Sequence, residues 1–264
     1  MNEIIDLPRE KGGEKDRKFV EALARGLDLL RAFSQQGGVL GNQDLARITG
    51  LPKPTISRLT YTLTQLGYLT YSKHLEKYQL DVGVLALGYA YTSNLNVRKI
   101  AKPYMEKMAT QANVSVGLTI RERLSMIYVE NCRNEKTQAL RMDVGSRLPL
   151  ATSSSGRAFL AGLSDDERQQ ILSLMEQHSG DHWPAWQESI SKAIDEYQEK
   201  GFCTSLGDWS KDVNAVAVPL KLLDGRVMAI NCGGPKYLIS DEMIMQSLGP
   251  QLVHVVRDIE ATGV

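Results

Sequence analysis

Two groups of residues in this chain have the types and spacing to do chemistry. The first lies between Lys53 and Gln65. At 100° per residue, Ile56, Leu59, Leu63 and Leu66 fall on one stripe of a helix, leaving Ser57, Arg58, Tyr61 and Gln65 on the opposite side and Lys53 and Thr55 at the N-terminal end. Arginine can clasp guanine O6 and N7 or a phosphate, hydroxyls donate to phosphates and bases, and a helix N-terminus attracts an anion. That is the chemistry of reading a duplex groove. A short way downstream, Lys73, His74 and Lys77 are spaced to touch a sugar-phosphate backbone or enter a minor groove.

The second group is three short polar segments, each containing glycine: Thr152-Ser153-Ser154-Ser155-Gly156, Leu206-Gly207-Asp208-Trp209-Ser210 and Asn231-Cys232-Gly233-Gly234-Pro235. Each falls at or beyond the end of an expected element. Such loops can converge on a pocket, where a helix starting near Ser154 offers N–H groups to a carboxylate and Ser205, Asp208 and Asn231 supply oriented hydrogen bonds. The same residue types also make ordinary turns whose hydroxyls cap helices. Catalysis by Ser154 or Ser155 would need an adjacent base. No segment has the form Gly-x-Ser-x-Gly, and His74, His178, His182 and His254 stand in unrelated settings. The chain is therefore expected not to be an enzyme; the alternative is a small-molecule-processing enzyme built on the C-terminal domain. His178 and His182 flank Gly180 and precede Trp183-Pro184, which suits a helix end better than a metal site. Neither metal nor cofactor is expected.

Specific elements must hold these groups. Val20, Leu23, Leu27, Leu30 and Phe33 recur at helical spacing up to Gly37-Gly38, and Asn42 can cap a short second helix from Gln43 to Thr49, with Leu45 and Ile48 inward and Gly50 ending it. The helix carrying Arg58 starts near Lys53, where Pro54 is tolerated in the first turn because its missing N–H has no intrahelical partner. YLTYS and KYQLD then alternate as a hairpin. Three helices and a hairpin in so short a span make a winged helix-turn-helix, assigned to residues 19–81. Residues 1–18 are expected to be a flexible arm, and 82–98 a linker and dimerisation helix within an apolar stretch running to about Gln111, with Pro103 marking a helix start.

From residue 99 to 264 the texture is mixed. VSVGLTI, MIYVEN, QALRMDV, FCTSL, VNAVAVPL and RVMAINCG read as strands, the last two joined by a hairpin at Asp224-Gly225. Ser164-x-x-Glu167 has the capping-box form, a helix from about Trp186 to Lys200 stops at Gly201, and Ser240 opens a last helix. Strands in hairpins interleaved with helices indicate α+β, an antiparallel sheet with helices on its face.

The whole-chain balance adds exclusions. With 264 residues, 42% hydrophobic, the chain can bury a core, and 31 basic against 31 acidic residues rule out a polycation that coats nucleic acid nonspecifically. Any DNA site is local: between Asn42 and Leu80 five basic residues outnumber two acidic ones, a net of +3. Cys132, Cys203 and Cys232 form no CxxC pair, which speaks against a zinc module or disulfide scaffold and for a reducing cytoplasm. The charged start has no apolar core and no stretch approaches ~18 apolar residues, so neither a signal peptide nor a membrane span is expected. One recognition helix makes few base contacts, so such modules pair across two half-sites, and the apolar linker is a plausible place to do so.

The runs ALARGLDLLRAF, LARITGLPKPTISRLTYTLTQLGYL, KYQLDVGVLALG, VGSRLPLATSSSGRAFLAGL, GFCTSLGDWSKDVNAVAVPL and DGRVMAINCGGP, in this order from Ala22 to Val255, resemble the IclR family of bacterial transcriptional regulators. The resemblance implies a winged helix-turn-helix, a linker helix, and a GAF-like α/β domain that binds a small organic acid or aromatic metabolite. It also implies homodimers or homotetramers that bind a double-stranded DNA operator and repress or activate genes, often catabolic ones. By position, Lys53, Thr55 and Arg58 match the family's DNA contacts, Ser154 and Ser155 its backbone cradle for the effector, and Ser205, Ala215, Asn231 and Gly233 its side-chain contacts. Pro54 stands where the family usually has Ser or Thr. Ala215 replaces a frequent Cys or Ser, and the segment Gly207 to Asp212 departs from the family's paired acids, so Trp209 and Ala215 make an aromatic or bulkier ligand conceivable.

Overall fold

A computed structural model describes residues 18–34, 38–134 and 142–264. The expected arm lies outside the described residues except for Lys18, as does most of the QALRMDV segment; its described residues Met142, Asp143 and Val144 are not strand. The chain divides into two compact units between Asn94 and Leu95.

The first unit contains α1 (Glu21–Ala32), β1 (Val39–Leu40), α2 (Asn42–Thr49), α3 (Lys53–Gln65), β2 (Leu69–Ser72), β3 (Lys77–Leu80) and α4 (Val82–Ser93). Its small antiparallel sheet has the order β1-β3-β2, and β1, too short to show as alternation in the sequence, pairs Val39 with Gln79. Leu29, Phe33, Leu40, Leu45, Ile56 and Leu69 form its core. Gly50 turns the chain from α2 to α3 at φ 66°, a left-handed conformation that costs glycine nothing. α2 starts at Asn42 itself, with Gly41 in the capping position.

Two apolar stripes are placed differently from the sequence expectation. On α1 the buried side carries Leu29, Ala32 and Phe33, whereas Val20, Leu23 and Leu27 are 61%, 62% and 51% exposed. On α3 Leu66 ends the helix in solvent, and Thr60 takes an inward place, its hydroxyl donating to the Ile56 carbonyl at 3.0 Å. A threonine survives there because its own helix satisfies it.

The second unit contains α5 (Asn96–Ala112), β4 (Ser115–Glu122), β5 (Ser125–Cys132), β6 (Arg147–Pro149), α6 (Ser154–Gly162), α7 (Asp165–Ser179), α8 (Trp183–Lys200), β7 (Cys203–Leu206), β8 (Val213–Lys221), β9 (Val227–Pro235), a short α9 (Asp241–Met243) and α10 (Gly249–Glu260). The apolar run after Val82 forms two helices that part at Asn94 and Leu95 rather than near Pro103, which lies inside α5 instead of starting a helix. The described strands form an antiparallel sheet of order β6-β5-β4-β9-β8-β7. Alternation sends Val116, Val216, Val218, Ile230 and Cys232 to the α5 and α10 side, and Tyr128, Cys203, Ala217 and Ala229 to the side covered by α6, α7 and α8. The second face, lined by small residues, holds the site.

Candidate functional site

On α3 the side chains of Lys53, Ser57, Arg58, Tyr61 and Gln65 are exposed and Thr55 is half-buried. Tyr61 is 67% exposed, a large aromatic left in solvent one turn from Arg58. The helix from Lys53 to Gln65 carries no acid, so nothing on it repels a phosphate. The acid of the preceding helix is occupied. Asp44 accepts from the Gly41 N–H at 3.1 Å and pairs with Lys77 at 3.7 Å and Arg47 at 3.8 Å. The Gly41 N–H and these cations hold its carboxyl below the usual aspartate range. Lys77 is thereby half-buried against α2, while Lys73, at the end of the β2–β3 hairpin, stands exposed.

The second unit holds a cleft lined among others by Tyr128, Met142, Leu148, Ser153, Ser154, Ser205, Trp209, Ala215, Asn231 and Gly233. Sheet register explains the grouping. Ser115 pairs with Gly233, Gly233 with Ala215 and Ala215 with Ser205, a row of small residues across four strands. The next row runs Gly117, Asn231, Ala217 and Cys203. A side chain on Gly233 would strike the Asn214 carbonyl at 2.5 Å and Ala215 at 2.7 Å, so the floor is shallow by necessity.

α6 ends on this floor. Its capping Ser153 Oγ accepts from the Gly156 N–H at 3.1 Å, and the Ser153 N–H donates to the Pro149 carbonyl at 3.3 Å. Of the four amides that a helix N-terminus leaves without intrahelical partners, these two are used. Those of Ser154 and Ser155 remain, beside the cleft and at the positive end of the helix. Gly156 makes the approach possible, because a Cβ there would sit 2.1 Å from the Leu150 carbonyl oxygen.

Arg157, which no local pattern in the sequence marks, ties the site together. Only 6% exposed, it donates to the carbonyls of Ala151 at 3.3 Å and Thr204 at 2.7 Å, to Asp208 at 2.7 Å, and to Ser189 Oγ. Asp208, expected as a ligand contact, is therefore the partner of this arginine and is not among the residues lining the cleft. Ser205 donates to the Thr152 carbonyl at 2.9 Å and accepts from the Trp209 N–H at 3.3 Å, so it braces two loops as well as lining the cleft. The Ser155 side chain is fully buried and does not line the cleft, which leaves only its backbone N–H to act there. Tyr128 carries no such mark either, because a tyrosine in a strand reads as core; only the cross-strand register brings it to Asn231, whose Nδ2 donates to Tyr128 Oη at 2.7 Å. None of the four histidines lines the cleft. Among the described residues no three metal-ligating side chains converge.

A winged helix with a basic, acid-free reading face, followed by an α/β unit with a small buried cleft, defines a ligand-responsive DNA-binding protein. The comparisons narrow the class. Residues 22–73 match the IclR helix-turn-helix domain and residues 89–261 match the family described as bacterial transcriptional regulator IclR C-terminal. The chain is 33% identical over 251 residues to the HTH-type transcriptional regulator TsaQ1/TsaQ2 of Comamonas testosteroni, covering 94% of this chain and 90% of that protein. An IclR family transcriptional regulator from Brucella abortus superposes with a TM-score of 0.87 at 44% identity, over 96% of each chain. An IclR homolog from Microbacterium hydrocarbonoxydans, solved with 4-hydroxybenzoate, shares the fold at 20% identity and a TM-score of 0.68, over 91% of this chain and 96% of that one. The chain belongs to the IclR family of bacterial transcriptional regulators.

Proposed function

We propose that this regulator reads its operator with Lys53, Thr55, Ser57, Arg58 and Tyr61 of α3, helped by Lys73 and Lys77 of the wing, and that its cleft binds a small carboxylate, aliphatic or aromatic. The observation that carries the DNA half is the exposed, acid-free side of α3. Arg58→Ala should weaken binding to fragments from the chain's own promoter region by about 10- to 100-fold, the cost of about 1–3 kcal/mol for one bidentate base contact, without altering the melting temperature. Unchanged affinity in a gel-shift titration would remove Arg58 from the contact.

The cleft half rests on donors and acceptors left over: the amides of Ser154 and Ser155 suit a carboxylate, and Ala215 and Gly233 leave room for its body. The homolog bound to 4-hydroxybenzoate shares this fold, which favours the same kind of occupant here. The relatives of this chain are transcriptional regulators, which favours a cleft that binds its ligand rather than turns it over. The chain acts in the cytoplasm, where DNA is; among the described residues no helix is long and apolar enough to cross a membrane.

Two copies pair, and α4 supplies the contact. It contains no charged residue and buries none of its side chains within this chain, with Val82, Leu85 and Tyr89 about 70% exposed. The paired copies read two half-sites, and the effector favours one arrangement of the domains over another by binding it more tightly. Sedimentation of Leu85→Glu should show a smaller assembly than the parent protein; an unaltered profile would exclude α4 from the interface.

A further inference from the structure

We propose that the cleft carries a hydroxyl-recognising subsite formed by Tyr128 and Asn231, and that the effector is a hydroxylated carboxylic acid. The inference rests on the effector-cleft reading above and goes beyond it in fixing what the far end of the ligand must be. Asn231 is only 6% exposed, and after its Nδ2 has donated to Tyr128, its Oδ1 is buried with no donor among the described residues. Tyr128, 5% exposed, uses its oxygen to accept that bond, and no acceptor among the described residues takes its proton. Burial pushes the phenol up to about 12, so the proton stays on and remains available. The pair thus offers the cleft one spare donor and one spare acceptor.

Turning the Asn231 amide over does not change this account. Tyr128 would then donate to Oδ1, leaving an Nδ2 hydrogen as the spare donor and the phenolic oxygen as the spare acceptor. In both arrangements the complement is a group that donates and accepts at once, and a hydroxyl is the smallest that does. A carboxylate oxygen would satisfy only the donor, and a methyl neither, leaving buried polar atoms unpaired. Gly117 makes the pairing possible: a Cβ there would lie 2.2 Å from the Tyr128 ring and 2.6 Å from Asn231 Oδ1. A bulge between Leu118 and Thr119 shifts the β4–β5 register beside it, so that Thr119 pairs with Tyr128 while Leu118 pairs with Glu130. The strand geometry is built around this tyrosine.

Calorimetric titration of the full-length protein with matched acids provides the test: benzoate against 3- and 4-hydroxybenzoate, and butyrate against 4-hydroxybutyrate, which separate phenolic from alcoholic hydroxyls. A hydroxylated acid in one series should bind at least ~30-fold more tightly than its parent, as expected where a site is built to hydrogen-bond a hydroxyl. Tyr128→Phe should collapse that ratio to within about threefold, chiefly by weakening the hydroxylated acid. Asn231→Ala should do the same, and serves if Tyr128→Phe fails to melt cooperatively. If parent and hydroxylated acids bind alike, or Tyr128→Phe weakens both by one factor, the hydroxyl subsite is overturned and the carboxylate cleft stands. If no acid of either series binds, both readings fall.

Discussion

On α3 the groups proposed to touch a ligand, Thr55 apart, stand in water, with Tyr61 67% exposed, whereas in the cleft Ser205 and Asn231 are 2% and 6% exposed. The difference sets what each region can tolerate. A side chain in solvent contributes little to folding, so a change on α3 should be felt by DNA and by little else. In the cleft Ser153, Ser205 and Asn231 also hold a loop or a strand. Ser205 links the turn before α6 to the turn at Trp209, and Arg157 spans Ala151, Thr204, Ser189 and Asp208. Binding and stability are separable in the first unit and entangled in the second.

The largest effect should come from breaking the second region. Gly156→Ala places a methyl group 2.1 Å from the Leu150 carbonyl, a contact that backbone and not a flexible side chain must relieve. Overpacking of this kind costs about 1–3 kcal/mol and here should lie at the upper end, lowering the melting temperature by roughly 5–10 °C and displacing the Ser154 and Ser155 amides. Carboxylate binding, read by the same melting scans with added ligand, should be lost along with the stability. Arg58→Ala is the counterpart on α3: operator affinity falls while the melting curve stays put. Loss of stability in both variants, or in neither, would erase the distinction between the two regions.

The same contrast governs how much could be read from the chain before folding. Helical periodicity found α3 and its outward residues because a surface helix needs only its own spacing to declare which side faces water. The capping box at Ser164 and the stop at Gly201 were legible for the same local reason. Periodicity failed on α1, where Val20, Leu23 and Leu27 form an apolar stripe as good as the one carrying Leu29 and Phe33. Nothing local says which stripe packs inside its own chain and which waits for something else, and α4, apolar all round, poses the same ambiguity more sharply. In the cleft, the polar segments were recognisable as loops, and small residues at 215 and 233 could be placed by resemblance. Tyr128 and Arg157 could not. Their roles depend on which strands become neighbours and on a bulge, contacts between residues about 50 to 100 positions apart in the chain.

A smaller effect sharpens the comparison from the other side, since Asp44 is a charge on the surface of the first unit with a structural duty. Its carboxylate accepts from the Gly41 N–H at the start of α2 and draws in Lys77 and Arg47, and its pKa lies below the ordinary aspartate value of 3.8. A carboxyl whose pKa is lowered by folding contributes stability at neutral pH, and that contribution drains away as the unfolded chain, and then the folded one, takes up the proton. Asp44→Asn should therefore melt slightly below the parent protein at pH 7, with the gap narrowing as the pH approaches 4 and narrowing also in high salt, because the charges are open to solvent. A gap that widens in acid would mean that the neutral carboxyl is the stabilising form. The variant should also free Lys77 from its partner, so that any gain in DNA affinity measures how far the α2 ion pair restrains the wing, a coupling of shape and binding that the rest of this surface lacks.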